Sequence, residues 1–148
     1  MNIRRWEYAD ILKIAQFEKD NFVDAWGYSQ LADSFLSGQF YGYLAEDEKG
    51  EIMAIGAYNM ALEEVDIVNV LVKKDMRGQG LGGQILDIMV EDMQERGVIR
   101  IFLEVRESNT PAQALYAKKG FYKVGERKGY YGGGETAIVM RKDVPRIG

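Results

Sequence analysis

Apolar and polar positions follow two different periods along the chain, and the switches between them predict an order of elements. Over 81–96, Ile85, Leu86, Ile88, Met89 and Met93 recur at spacings of three, four and seven, while Asp87, Glu91, Asp92 and Glu95 take the other side. That is a helix with one buried stripe, and Gly97 follows as a left-handed stop. The stretch 99–106 has period two, with Ile101, Leu103 and Val105 on one face and Phe102 and Glu104 on the other, which predicts a strand. Helices are also predicted over 9–19, where Ile11, Leu12, Ala15 and Phe17 are apolar, and over 29–36 with Ser29 as N-cap. A further helix opens at Thr110 as cap with Pro111 at its first position and closes at Gly120. Strands are predicted over 2–6, 40–45, 52–60, 65–72, 121–124 and 137–140, with a charged turn from Glu46 to Gly50 between the second and third. Mixed helices and strands in this order predict one α/β (or α+β) domain over 1–148.

Composition changes the picture mainly by exclusion. A chain of 148 residues buries roughly 68–70% of its unfolded surface, enough for one core. Its 47% hydrophobic and 28% charged residues are those of a folded domain rather than a disordered tail. There is no cysteine and no histidine. Disulfides, thiolate sites, serine–histidine triads and the commonest metal ligand are therefore excluded, and no metal site is expected. Acid–base chemistry must come from Glu, Asp, Tyr, Lys or a terminus. The net charge is -4, so no nucleic-acid footprint is expected. Two early arginines, Arg4 and Arg5, are not followed by an apolar signal core, and no apolar run of membrane-spanning length occurs. The expectation is a cytoplasmic protein with no membrane contact.

Glycines cluster between positions 78 and 97 and again between 120 and 134. The first cluster, Arg77-Gly78-Gln79-Gly80-Leu81-Gly82-Gly83, lies between a strand and the strongest helix. Glycines admit close backbone approach, and the free N–H groups of a helix N-terminus attract phosphate oxygens. Arg77, with Lys73 and Lys74, adds positive charge, so a phosphate-bearing ligand is one reading and a plain tight turn the other. The pattern is not a P-loop, because neither Lys nor Ser/Thr follows the glycines. Gly78, Gly80 and Gly83 match the dinucleotide pattern, but five residues, 73–77, separate them from the strand, where a dinucleotide turn follows its strand closely.

Val70-Leu71-Val72 followed by Arg77 to Gly82 resembles the acetyl-CoA motif of the GNAT N-acetyltransferase superfamily. Leu103-Glu104-Val105-Arg106-Glu107-Ser108-Asn109, continuing through Ala114-Leu115-Tyr116 to Gly120-Phe121, is more specific. It resembles the ribosomal-protein-alanine N-acetyltransferase subgroup, as does Tyr130-Tyr131 ahead of Ala137-Ile138-Val139-Met140. The resemblance implies a mixed, mostly antiparallel sheet of about seven strands flanked by about four helices, with two central parallel strands splayed to admit acetyl-CoA. By carry-over, the backbone of Val70, Leu71 and Val72 pairs with the pantetheine arm. Arg77, Gly78, Gln79, Gly80, Leu81, Gly82 and Gly83 hold the pyrophosphate, and Asn109 touches the pantetheine region. Glu104 is the general base and Tyr116 the general acid, while Trp26, Tyr130 and Tyr131 line the acceptor side. The implied acceptor is a protein N-terminus, that of an alanine-starting small-subunit ribosomal protein.

These residues can carry the chemistry without His or Cys. Direct attack of an amine on a thioester needs no enzyme nucleophile, only a neutral amine and a protonated leaving thiolate. With pKa about 8, roughly one tenth of an α-amine is neutral at pH 7, against below one thousandth of a lysine of pKa about 10.4. A carboxylate such as Glu104, acting directly or through one water, gives the modest help an α-amine needs. A phenol of pKa about 10 is matched to a thiol of about 8.5, which is the part for Tyr116. Outside the motif, a strand glutamate reads as a solvated face, a helix tyrosine or Trp26 as packing, and Tyr130-Tyr131 as a hairpin. Three departures from the subgroup stand out: Lys73-Lys74 where a Pro is usual, Thr136 before the last strand, and Asp24-Ala25 and Gly27-Tyr28 around Trp26. The last two touch the acceptor side. Acetylation of a lysine, polyamine or small amine, and a non-catalytic acyl-CoA sensor, are the competing functions.

Overall fold

Strand β3 (Ile52–Ala61) is apolar along almost its whole length, and its residues from Ile52 to Tyr58 are buried. A strand of that composition needs cover on both faces. It sits third in a seven-stranded sheet of order β1-β2-β3-β4-β5-β7-β6. The others are β1 (Asn2–Arg5), β2 (Phe40–Glu46), β4 (Glu64–Val72), β5 (Arg100–Arg106), β6 (Tyr122–Arg127) and β7 (Ala137–Asp143). The computed structural model describes residues 1–22 and 25–146. Every described pairing is antiparallel except that of β4 with β5. The helices are α1 (Ile11–Asn21), α2 (Tyr28–Leu36), α3 (Leu81–Glu95) and α4 (Thr110–Lys118). This is the expected mixed α/β sheet, and no described helix is long and apolar enough to cross a membrane.

Two apolar clusters separate the helices onto the two faces. Ile11, Ile14, Phe17 and Leu31 of α1 and α2 pack with Trp6, Leu44, Ile55 and Leu71. Ile85, Leu86, Met89 and Met93 of α3 pack with Tyr58, Ile101, Leu103 and Met140, and Tyr116 of α4 joins them. Glycines in β2 and β3 let bulky partners lie flat on the sheet. A methyl at Gly42 would stand 2.3 Å from Trp6 Cδ2, and one at Gly56 2.5 Å from Ile85 Cγ2. Trp6 cannot yield easily, because its Nε1 donates to the Tyr43 carbonyl at 2.8 Å. Gly42→Ala is therefore expected to cost about 2 kcal/mol through overpacking. A denaturant titration whose midpoint falls at constant slope checks it, and an unshifted midpoint would show the indole free to move.

Several element ends differ from expectation for local reasons. The N-cap of α2 is Gly27 rather than Ser29, which lies inside the helix. Asn109 rather than Thr110 caps α4, its side chain accepting from the Ala112 amide. Strand β6 runs on to Arg127; on an exposed edge strand polar residues carry no alternation to read. The spacer 73–77 contains a 3-10 turn from Lys74 to Met76.

The irregularity that shapes the site is in β4. Ala57 pairs with Asn69 and Tyr58 with Ile67, so Val68 is an extra, bulged residue. A bulge bends its strand and inverts the alternation beyond it. Val65 and Ile67 face the α3 side before the bulge; after it Val70 and Val72 do, and Leu71 turns towards α1 and α2. The parallel ladder with β5 ends at the same place, its last pair being Ile67 with Leu103.

Candidate active site

Past Ile67 and Leu103 the two parallel strands part, and the gap opens into a cleft of about 600 Å³. One wall is β4 from Asp66 to Leu71 and another is β5 from Phe102 to Arg106; Asn109, Ala112 and Tyr116 close the α4 side. Phe22, Trp26, Arg127, Tyr130, Tyr131 and Val139 complete the lining. Among the described residues, the backbone edge of β4 that faces the gap has no strand partner beyond Ile67, which leaves polar groups for an extended ligand to pair with.

Glu104 and Tyr116 approach this cleft from opposite faces of the sheet. Leu103 and Val105 are buried towards α3 and α4, so alternation turns Glu104 to the other face. Its Oε1 lies 3.2 Å from Arg127 Nε. Tyr116 rises from α4, 7% exposed, with its ring set edge-on to Phe121 at 5.8 Å. Its hydroxyl makes no hydrogen bond with a described residue. Burial, with Tyr131 nearby, pushes its pKa up to about 12. A carboxylate on one face and a phenol on the other can serve one reaction only through a hole in the sheet, and the splay is that hole.

The glycine loop lies at the same end of β4. Gly78 and Gly80 both have φ of +82°, with open space where a side chain would stand. Gly80 is the left-handed N-cap of α3. No described group accepts from the amides of 78–83, which are the free donors of a helix start. Gly82 and Gly83 are buried, and a methyl at Gly82 would touch Val70, Val72 and Leu115 at 3.5–3.7 Å. The loop is thus tied closely to the splayed strand. Arg77 does something other than expected: its guanidinium donates to the carbonyls of Val72, at 3.2 Å, and Asn21, at 3.3 Å. It pins the end of α1 to the end of β4 while leaving its charge beside the loop. Gln79 is exposed, and Asn109 lines the cleft while capping α4.

Comparison with known proteins decides what this arrangement is. The Acetyltransferase (GNAT) family matches over residues 6–121. The chain belongs to that family. It is 31% identical over 129 residues to the ribosomal protein bS18-alanine N-acetyltransferase of Escherichia coli strain K12, covering 85% of this chain and 87% of the relative. It is 32% identical over 142 residues to the protein of the same name from Haemophilus influenzae, covering 93% and 95%. Its fold superposes on the crystal structure of the ribosomal-protein-S18-alanine N-acetyltransferase from Escherichia coli with a TM-score of 0.88, at 28% identity, over 99% of this chain and 96% of that one. It is an N-acetyltransferase enzyme of the GNAT type.

GNAT enzymes take acetyl-CoA as the acetyl donor, and the residues present fit that molecule. Donor-rich, sterically open backbone at 78–83 suits a pyrophosphate, and the unpaired edge of β4 suits an amide-bearing arm. Gly80→Ala forces a side chain into a left-handed conformation, at a strain of about 1 kcal/mol, and moves the amides on either side. The expected result is acetyl-CoA binding weakened about tenfold by calorimetry, with unchanged fold; unchanged affinity would remove this loop from the donor site. Among the described residues no group of three or more Asp or Glu side chains is placed to hold a metal.

The other side of the GNAT cleft is aromatic and charged. Tyr130 and Tyr131 pack edge-on at 5.2 Å; Arg106 lies over Tyr131 and Arg127 over Tyr130. Trp26 both lines the cleft and packs 6.1 Å from Phe40, so packing and cleft wall are one role. Sequence reasoning missed Arg127, which stands on the unpatterned edge strand, and Glu18 of α1. Glu18 is fully buried, with Oε1 accepting from the Trp26 amide at 3.2 Å. The signal for it was present: Ile11, Ile14 and Glu18 are spaced i, i+3, i+7, which puts a carboxyl on the buried stripe.

Proposed function

We propose that this enzyme acetylates the N-terminal α-amine of a protein in the cytoplasm, with the N-terminal alanine of ribosomal protein bS18 as its acceptor. The observation that carries the reading is the opposition of Glu104 and Tyr116 across the gap between β4 and β5. Support for the acceptor comes from relatives above 30% identity, over most of both chains, that bear this name.

Bound acetyl-CoA supplies a thioester-activated acetyl group. The amides of 78–83 would hold its pyrophosphate, the free edge of β4 from Val70 to Val72 its pantetheine arm, with Asn109 beside that arm. The acceptor enters from the opposite face, between Trp26 and the Tyr130-Tyr131 loop, whose rings and hydroxyls suit a peptide backbone. Glu104 takes a proton from the acceptor ammonium, directly or through one water. The neutral nitrogen then attacks the acetyl carbon, and the C–S bond breaks. Tyr116 Oη delivers its proton to the departing sulfur; the second proton of the nitrogen is shed as the amide forms and, through solvent, restores the phenol, while the proton gained by Glu104 leaves to solvent.

The test is CoA release with two peptides, one with a free N-terminal alanine, the other blocked there but carrying an internal lysine, the modified site being located by mass spectrometry. Acetylation confined to the free terminus is expected. Acetylation of lysine alone overturns the acceptor, and silence with both peptides favours a small amine or a sensing role.

A further inference from the structure

Among the described residues, Glu18 is a fully buried carboxyl beside the cleft residues Trp26 and Asn69, and the mechanism above does not use it. It lies on the last turns of α1 with 0% exposure, and the Trp26 amide donates to its carboxyl at Oε1. Its other oxygen, Oε2, is sealed from solvent without a hydrogen-bond partner. So is Oδ1 of Asn69, the residue just past the β4 bulge, whose side chain lies within reach of the Glu18 carboxyl. Two buried acceptors lacking a donor are costly. One proton on Oε2 resolves both at once, because Oε2–H then donates to Oδ1.

We propose that Glu18 is a positioning residue for the acceptor: in its protonated form it ties Trp26, a wall of the acceptor entrance, to Asn69 on the splayed half of β4. Both tied residues line the cleft. The inference rests on the acetyl-transfer reading of that cleft, but the tie itself is a property of the free protein.

The electrostatics agree. Burial pushes the Glu18 pKa up to about 7, against the lowering effect of the Trp26 amide and of the neighbouring Asn69 side chain. The carbonyl end of α1 also disfavours a charge there. The groups facing Glu18 are the Trp26 amide from the α1–α2 connection and the Asn69 side chain from β4. Among the described residues, the charged side chains nearby point elsewhere: Lys19 and Asp20 are exposed, and Arg77 is bonded to the Asn21 and Val72 carbonyls. Val23 and Asp24 lie outside the described residues. As pH rises through 7 the proton is lost and the Oε2 donor disappears; the Asn69 end of the tie opens, and the Trp26 wall, still bonded to Oε1, is no longer fixed to β4.

Glu18→Gln keeps the geometry and supplies a permanent donor. Acceptor KM is measured from pH 6 to 8.5 for the natural chain and for Glu18→Gln, and the ratio of the two cancels the titration of the acceptor amine itself. The ratio is expected to be near one at pH 6 and to rise about fivefold by pH 8.5, with kcat and acetyl-CoA KM unchanged. Glu18→Leu, which has no donor, is expected to raise acceptor KM at every pH. A flat ratio overturns the proposal and implies a permanently charged Glu18 that accepts from a turned Asn69 amide. A second readout needs no activity. The chain has two tryptophans, Trp6 and Trp26, so emission of the Trp6→Phe variant reports Trp26 alone. A transition centred near pH 7 that vanishes on adding Glu18→Gln supports the tie; emission without a transition overturns it. If no peptide is acetylated the acceptor reading falls, while the fluorescence still decides the role of Glu18.

Discussion

Glu104→Gln is expected to lower kcat by 10²–10⁴-fold, the usual share of a positioned general base, while acetyl-CoA affinity stays unchanged. The reason is geometric. Glu104 stands on the face of β5 turned away from α3 and α4, beside the gap in the sheet, whereas the glycine loop and the α4 side lie across it. Removing the charge also removes the Arg127 ion pair, but a partly exposed pair of this kind is worth at most about 1 kcal/mol, so the fold should persist. The pH dependence separates base catalysis from simple positioning. With an acceptor pKa of about 8 the neutral fraction rises from roughly one tenth at pH 7 to nearly all above pH 9. If Glu104 removes the ammonium proton, the deficit of the variant narrows by up to about tenfold over that range. A deficit of constant size from pH 7 to 9.5 would mean that Glu104 only orients the amine, and unchanged turnover would exclude it from the mechanism altogether.

How far the chain could be read without its structure depended on whether a feature repeats or stands alone. The stripe of α3, the alternation of β5 and the glycines between β4 and α3 are periodic or clustered, and they survive almost to the residue. The bulge at Val68 is a single event inside one strand, with no Gly or Pro to mark it. Yet it sets where the strands part and which face each of Val70, Leu71 and Val72 presents. Caps shifted by a residue or two because cap-forming types stand side by side: Asn109 next to Thr110. Arg77 could be placed at the phosphate end of the cleft, but not its bonds to Val72 and Asn21, since those carbonyls come together only when α1 packs against β4. The spacing of Glu18 put it on the buried stripe of α1, but a charged residue within an amphipathic helix is ordinarily assigned to water, which is why it was missed.

Tyr116→Phe is expected to reduce kcat about a hundredfold, at the lower end of what a positioned acid contributes. The effect should be smaller than that at Glu104, because a thiolate of pKa near 8.5 is already a fair leaving group. The substitution is nearly isosteric. The ring keeps its edge-on contact with Phe121, and the lost hydroxyl leaves no described partner unsatisfied, so stability should change by less than about 0.5 kcal/mol. A large loss of turnover without loss of stability therefore assigns the proton of Tyr116 Oη a chemical role rather than a packing one. The pH profile gives the sign independently. A buried phenol whose pKa is pushed up to about 12 stays protonated well beyond the pKa of the acceptor amine. With the natural chain, kcat/KM should rise as the amine loses its proton and then hold level to about pH 10.5. A falling limb near pH 9 that disappears in Tyr116→Phe would show the hydroxyl ionising in a wetter site than the structure has. A level profile with unimpaired turnover in the variant would leave protonation of the sulfur to solvent, and Tyr116 to the core of α4.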